Sequence, residues 1–131
     1  MKDLLSDQFQ NKVDEVLVRH ASILDILTKY DQAAANVNRA VVKSITNCGC
    51  VSIESDQSEI PSEIEYSEMK IYTKTHITGE LCPICKEKIE EEMGNSLFYL
   101  AALCNHLDLN LYDALVKEYN KLTTLGKYTL Y

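Results

Sequence analysis

The chain has 131 residues, a length that holds one hydrophobic core, so a single domain over residues 1–131 is expected. Its net charge is −7 and no basic stripe interrupts the acidity, which disfavours nucleic acid and anionic membrane as partners, since both are bound through clustered cations. With 46% hydrophobic residues but only four glycines and two prolines it reads as helical and globular; no apolar run approaches the ~20 residues of a membrane span and nothing resembles a signal peptide, so a cytoplasmic setting is expected.

Apolar residues at Phe9, Val13, Val16, Leu17, Ile23, Leu24 and Leu27, with His20 among them, follow the rhythm of one helical face and predict a long first helix over residues 2–30. His20 on that stripe reads as a hydrogen-bonded, partly buried residue. Ala34, Val37, Val41 and Ile45 repeat the rhythm and predict a second helix over residues 32–47. The helical pattern then lapses. Val51-Ser52-Ile53-Glu54 alternates like a short strand, and Ser62 with Glu65 suggests a capping box opening a short helix over residues 63–73. Thr78-Gly79 breaks the chain again. Helix resumes at Pro83 and runs to about residue 106, with Ile89, Met93, Leu97, Leu100, Cys104 and Leu107 on one face. Asn110 with Asp113 caps a last helix that Gly126 ends, leaving residues 127–131 as an apolar tail. The expected fold class is all-α, four main helices with an insertion between the second and third.

Four of the five cysteines fall into two close pairs, Cys48-Gly49-Cys50 and Cys82-Pro83-Ile84-Cys85. Two thiolate pairs on tight turns suit one tetrahedral ion, and four sulfurs leave no open position for water, so a structural Zn²⁺ held by Cys48, Cys50, Cys82 and Cys85 is expected to clamp residues 48–85. Gly49 lets the backbone fold back, and Pro83 stands at the first helical position, where its missing N–H costs nothing. Cys82 is then the N-cap, facing free amides and the positive helix end, which favours its thiolate. An iron–sulfur cluster and a thiol–disulfide pair are the rival readings, the latter without the βαβ pattern that accompanies such pairs. His76 is a possible replacement ligand but reads more simply as a loop residue, and Cys104 as a small core residue. Adding four negative charges and two positive ones takes the net charge to −9 with zinc bound.

The run Ile89-Glu90-Glu91-Glu92-Met93-Gly94-Asn95-Ser96-Leu97-Phe98-Tyr99-Leu100-Ala101-Ala102-Leu103-Cys104, followed by a helix ending Glu118-Tyr119-Asn120-Lys121-Leu122, resembles the third and last helices of the MazG-like all-α nucleotide pyrophosphohydrolases. The resemblance spans about 40 C-terminal residues. It implies a helical bundle in which an E-x-x-E pair and an E-x-x-D pair hold Mg²⁺ against phosphates, the hard ion wanting oxygen ligands. Glu92 matches the first acid of the second pair, but Asn95 stands where aspartate belongs, and residues 31–40 offer no E-x-x-E.

Amides do not replace the lost negative field, so the expectation is a non-catalytic protein acting by protein interaction or nucleotide binding, with Asn36, Asn38 and Asn95 as candidates to line a polar cleft. The alternatives are a divergent pyrophosphohydrolase drawing on Glu91, Glu92, Glu63 or Glu65, and a thiol- or zinc-based redox regulator. Self-association into a homodimer is expected from the apolar tail and the long first helix.

Overall fold

Two helices, not one, open the chain. In a computed structural model, whose described residues are 4–19 and 21–125, α1 spans Leu4–Val16 and α2 spans Ile23–Lys43. The single helix expected over residues 2–30 is therefore broken near residue 20, and the break expected at residue 31 does not exist. Ser22 explains this locally. It is the N-cap of α2, its backbone extended, its hydroxyl accepting from the Leu24 amide at 3.3 Å, with Asp25 in the first turn against the positive helix end. Packing explains it again. Val13 and Ile26 would stand about 20 Å apart along an unbroken helix, yet both are buried in one cluster with Ala101 and Ala102. The chain must turn back to bury them together.

After α2 come β1 (Val51–Ile53), a one-turn α3 (Met69–Tyr72), β2 (Ile77–Gly79), α4 (Pro83–His106) and α5 (Leu111–Leu125). The described residues are thus largely α-helical with one small two-stranded sheet. The readings placed on His20, Gly126 and residues 127–131 fall outside them. Among the described residues, no helix is long and apolar enough to cross a membrane.

Packing between elements is dominated by α2 against α4. The face α2 buries is not the one its larger side chains mark. Ile26 and Ala33 are buried and Ala40 half-buried, a seven-residue rhythm whose last two side chains are small and let the two backbones draw close. Leu24, Leu27 and Val41, expected on the core side, are 72%, 49% and 36% exposed. The buried side of α2 is the one α4 meets with Ala101 and Ala102, which share a cluster with Ile26.

A polar hub fixes α1 to the α4–α5 corner. The Gln10 side chain, buried, donates to the Leu109 carbonyl at 2.7 Å and accepts from the Leu111 amide at 2.9 Å, satisfying the first free N–H of α5. Asn105 donates to the Gln10 carbonyl, and Asn110 donates to Asp7 while its own oxygen caps the Asp113 amide, as expected for this helix start. On the other side His106 reaches the Ala21 carbonyl at 2.6 Å and ties the α1–α2 connection to α4.

Candidate metal centre

The two cysteine pairs converge. The Sγ atoms of Cys48, Cys50, Cys82 and Cys85 all lie within 4.8 Å of one another, Cys48 exposed and the other three half-buried. Three local devices bring them there. At the end of α2 the chain winds one wider turn, Ser44–Cys48, of π-helical form, anchored by buried Ser44, whose hydroxyl donates to the Val41 carbonyl at 2.6 Å. Gly49, in left-handed backbone at φ 77°, then reverses direction and returns its amide to the Ser44 carbonyl at 2.9 Å. Cys50 follows, its thiol also directed at the Ser44 carbonyl, 3.7 Å away.

The second device is the small sheet. β1 and β2 pair antiparallel with Val51 opposite Gly79, Ser52 opposite Thr78 and Ile53 opposite Ile77. Carried outward by one residue, that register sets Cys50 level with Glu80, and beyond the reversal at Gly49 the sulfurs of Cys48 and Cys82 come 3.7 Å apart. A cross-strand bond between the Ser52 and Thr78 hydroxyls at 2.6 Å reinforces it. Gly79 sits at φ 86°, and a β-carbon there would fall 2.6 Å from the Cys50 carbonyl oxygen, so only glycine lets the strands meet beside the thiols.

The third device is the start of α4. Cys82 is its N-cap and Pro83 its first residue, as read from the sequence, and the Cys85 amide donates to the Cys82 sulfur at 3.4 Å. This bond, together with the neighbouring Cys85 thiol, lowers the Cys82 thiol to about 7. Cys85, whose thiol donates a hydrogen bond to that same sulfur and is partly desolvated, is pushed up to about 12. Cys48 is raised too, first of all through its bond to Cys82. One thiolate, backed by an amide and a helix end, is thus already prepared among thiols that hold their protons for it.

All five cysteines are free thiols, and 3.7 Å between Cys48 and Cys82 is far beyond a sulfur–sulfur bond. It is close to the edge of a thiolate tetrahedron, since four sulfurs at roughly 2.3 Å from one ion stand about 3.8 Å from each other. The donor set therefore fits a metal. Beside it, a hollow of about 420 Å³ between α2 and α4 is lined by Cys48 and Cys85 and by Arg39, Lys43 and Lys88. In an acidic chain these cations gather where thiolate charge would accumulate.

The other candidate residues divide. His76 is not a ligand: it lies past the outer end of the sheet in left-handed backbone, its ring held to the Asp56 carbonyl and its own carbonyl accepting from the Glu54 amide at 2.9 Å. Cys104 is buried, as expected, and burial raises its thiol. Glu92 pairs with Lys88 at 3.0 Å, holding that ammonium above its ordinary value, and Asn36 lines the same hollow. Asn38, Asn95, Glu63, Glu65 and Glu91 do not line it. The helix expected over residues 63–73 is reduced to a 3₁₀ turn, Tyr66–Glu68, and α3, and the Ser62–Glu65 capping box does not form, since Glu65 itself takes the N-cap position without a side-chain bond. No residue of either turn is buried, so no apolar face rewards a longer helix there.

Sequence reasoning missed Gln10, His106 and β2. Gln10 and His106 act across about a hundred residues, on carbonyls that carry no sequence signature, and a three-residue strand has no periodicity to read. No protein-family model matches the chain, and no curated protein or solved structure matches it either.

Proposed function

We propose that this is a non-catalytic, MazG-like helical protein whose structural zinc clamps the insertion, and that it acts in the cytoplasm by binding rather than by turnover. The observation that carries the reading is the convergence of four sulfurs within 4.8 Å from two turns fixed by a shared sheet and a helix cap. Such a set fills every valence of Zn²⁺ and leaves no position for a reacting water. A multi-iron cluster would spread its cysteines over separate irons, which the close spacing disfavours. The emptied acid positions support the absence of turnover, because Glu92 is engaged by Lys88 and Asn95 offers a neutral oxygen in place of aspartate.

Purified protein should carry one zinc per chain by elemental analysis and show no visible absorption of an iron–sulfur centre. Mg²⁺ with nucleoside triphosphates should give no monophosphate or pyrophosphate. Turnover would overturn the non-catalytic reading, and a Glu92→Gln variant would then say whether that carboxylate carries it. A second reading, nucleotide binding without hydrolysis, is favoured by the hollow that collects Arg39 and Lys43 with Asn36 and Asn47, beside Lys88 in its pair with Glu92. A fluorescent nucleotide should bind there and be lost in an Arg39→Gln, Lys43→Gln double variant.

A further inference from the structure

Helix α4 is apolar on every side where it matters. The run Leu97-Phe98-Tyr99-Leu100-Ala101-Ala102-Leu103 has no polar position apart from one phenol, and a helix apolar all round is one that is covered all round. Within the chain only part of it is covered. Ala101 and Ala102 are buried, and Phe98 and Leu103 pack against the core, but Leu97 is 50% exposed. Two adjoining hollows share Leu97 and Leu100: one of about 570 Å³ that reaches Leu5, Phe9, Leu111 and Leu115, and one of about 430 Å³ that reaches Val37 and Met93. No charged residue lines either. The strip runs across α1, α5, α4 and α2.

The elements bordering this strip are themselves unsatisfied. No residue of α5 is buried, although Leu111, Leu115, Tyr119 and Leu122 lie at helical spacing. On α2, Leu27 and Val41 stay exposed on the same face as Ala34 and Val37, which line the second hollow. The surface area agrees. The chain exposes 10188 Å², where a compact monomer of 14.9 kDa exposes about 7,000 Å². Ten residues lie outside the description, and a stretch of that length exposes at most about 1,700 Å². About 1,500 Å² of surplus remains, shared between the exposed insertion and the bare faces of α4 and α5, against about 1,000–2,500 Å² buried by each protomer of an obligate homodimer.

We infer that the strip centred on Leu97, Leu100 and Leu115 is a self-association face, occupied by the same face of a second copy of this chain. A two-fold pairing needs a patch that complements itself, and a strip without charges meets its own image without bringing like charges together, even between two chains of net charge −7. Pairing would bury the bare faces of α5 and α4 and enclose both hollows. This deepens the reading of the chain as an interacting protein by naming the surface and the partner.

The test is mass in solution. Zinc-loaded protein at about 100 µM should sediment at twice 14.9 kDa. A Leu97→Glu, Leu115→Glu double variant, in which both positions are about half exposed, should sediment as a monomer with unchanged helical circular dichroism and a dissociation constant raised at least 100-fold. Val18→Glu, at a side chain 83% exposed and lining neither hollow, should leave the dimer intact. Should the double variant fail to fold, the unaltered protein decides, because the melting temperature of an obligate dimer rises with concentration. A monomer at 100 µM, a flat melting temperature or a dimer indifferent to the double substitution each overturns the inference. Nucleotide turnover, which would sink the proposed function, leaves these readouts untouched.

Discussion

Two glycines border the thiol cluster, and they differ in what surrounds them. Both occupy left-handed backbone, but Gly49 has open space where a β-carbon would go, while at Gly79 that carbon would meet the Cys50 carbonyl oxygen at 2.6 Å. Gly49→Ala should therefore cost only the conformational penalty, about 1–2 kcal/mol. Gly79→Ala adds a collision with backbone that no side-chain rotation relieves, about 1–3 kcal/mol more. Since the displaced atom belongs to Cys50, one of the four proposed ligands, Gly79→Ala should also weaken metal binding. Urea denaturation and a zinc competition titration of both variants check this; equal losses would mean the close approach does not govern the site. The sequence alone places glycine at both positions but cannot rank them, because the ranking depends on a strand 26 or more residues away.

At the scale of elements, the start of α4 was fully legible and the sheet was only half so. Cys-Pro at a helix start is a local signal: an N-cap whose side chain accepts from an amide three residues on, then a residue with no N–H to waste. β2 gives no such signal, since three residues with a glycine read as a chain break until β1 is beside them. A sheet of two three-residue strands is marginal by itself, and the segment it spans buries nothing in its own turns. Chelation of the metal should thus loosen this region selectively. Hydrogen exchange is expected to speed up at least tenfold for the amides of Val51–Ile53 and Ile77–Gly79, while amides around Ile26 and Ala101, in the α2–α4 core, keep their protection. Uniform loss across both would show that the metal supports the whole fold and not just the insertion.

For the molecule as a whole, protons would compete with the proposed metal for the same four sulfurs. In the ion-free cluster Cys85 and Cys48 stay protonated across the neutral range, being raised, whereas Cys82 ionises at about 7. Metal binding must displace whatever protons are present, so apparent affinity rises with pH. Above 7 Cys82 has no proton left to displace; as pH falls through 7 it acquires one, and the dependence should steepen by about one proton. A competition titration with a chromophoric chelator from pH 6 to 8 measures the slope. A slope unchanged through 7 would mean that the amide of Cys85 does not hold the Cys82 thiolate.

Sequence by itself determined the helical class, the span of α4, the caps at Cys82 and Asn110, the first strand and the identity of the clustered sulfurs, because each rests on contacts within a few residues or on spacing along one face. Only the tertiary structure decided where the first helix breaks, which side of α2 is buried and what ties α1 to the α4–α5 corner. Periodicity marks an apolar stripe without saying what covers it. Here close approach of α2 to α4 buries Ile26 and Ala33 and leaves Leu24, Leu27 and Val41 exposed, and a choice of that kind is made by the partner helix.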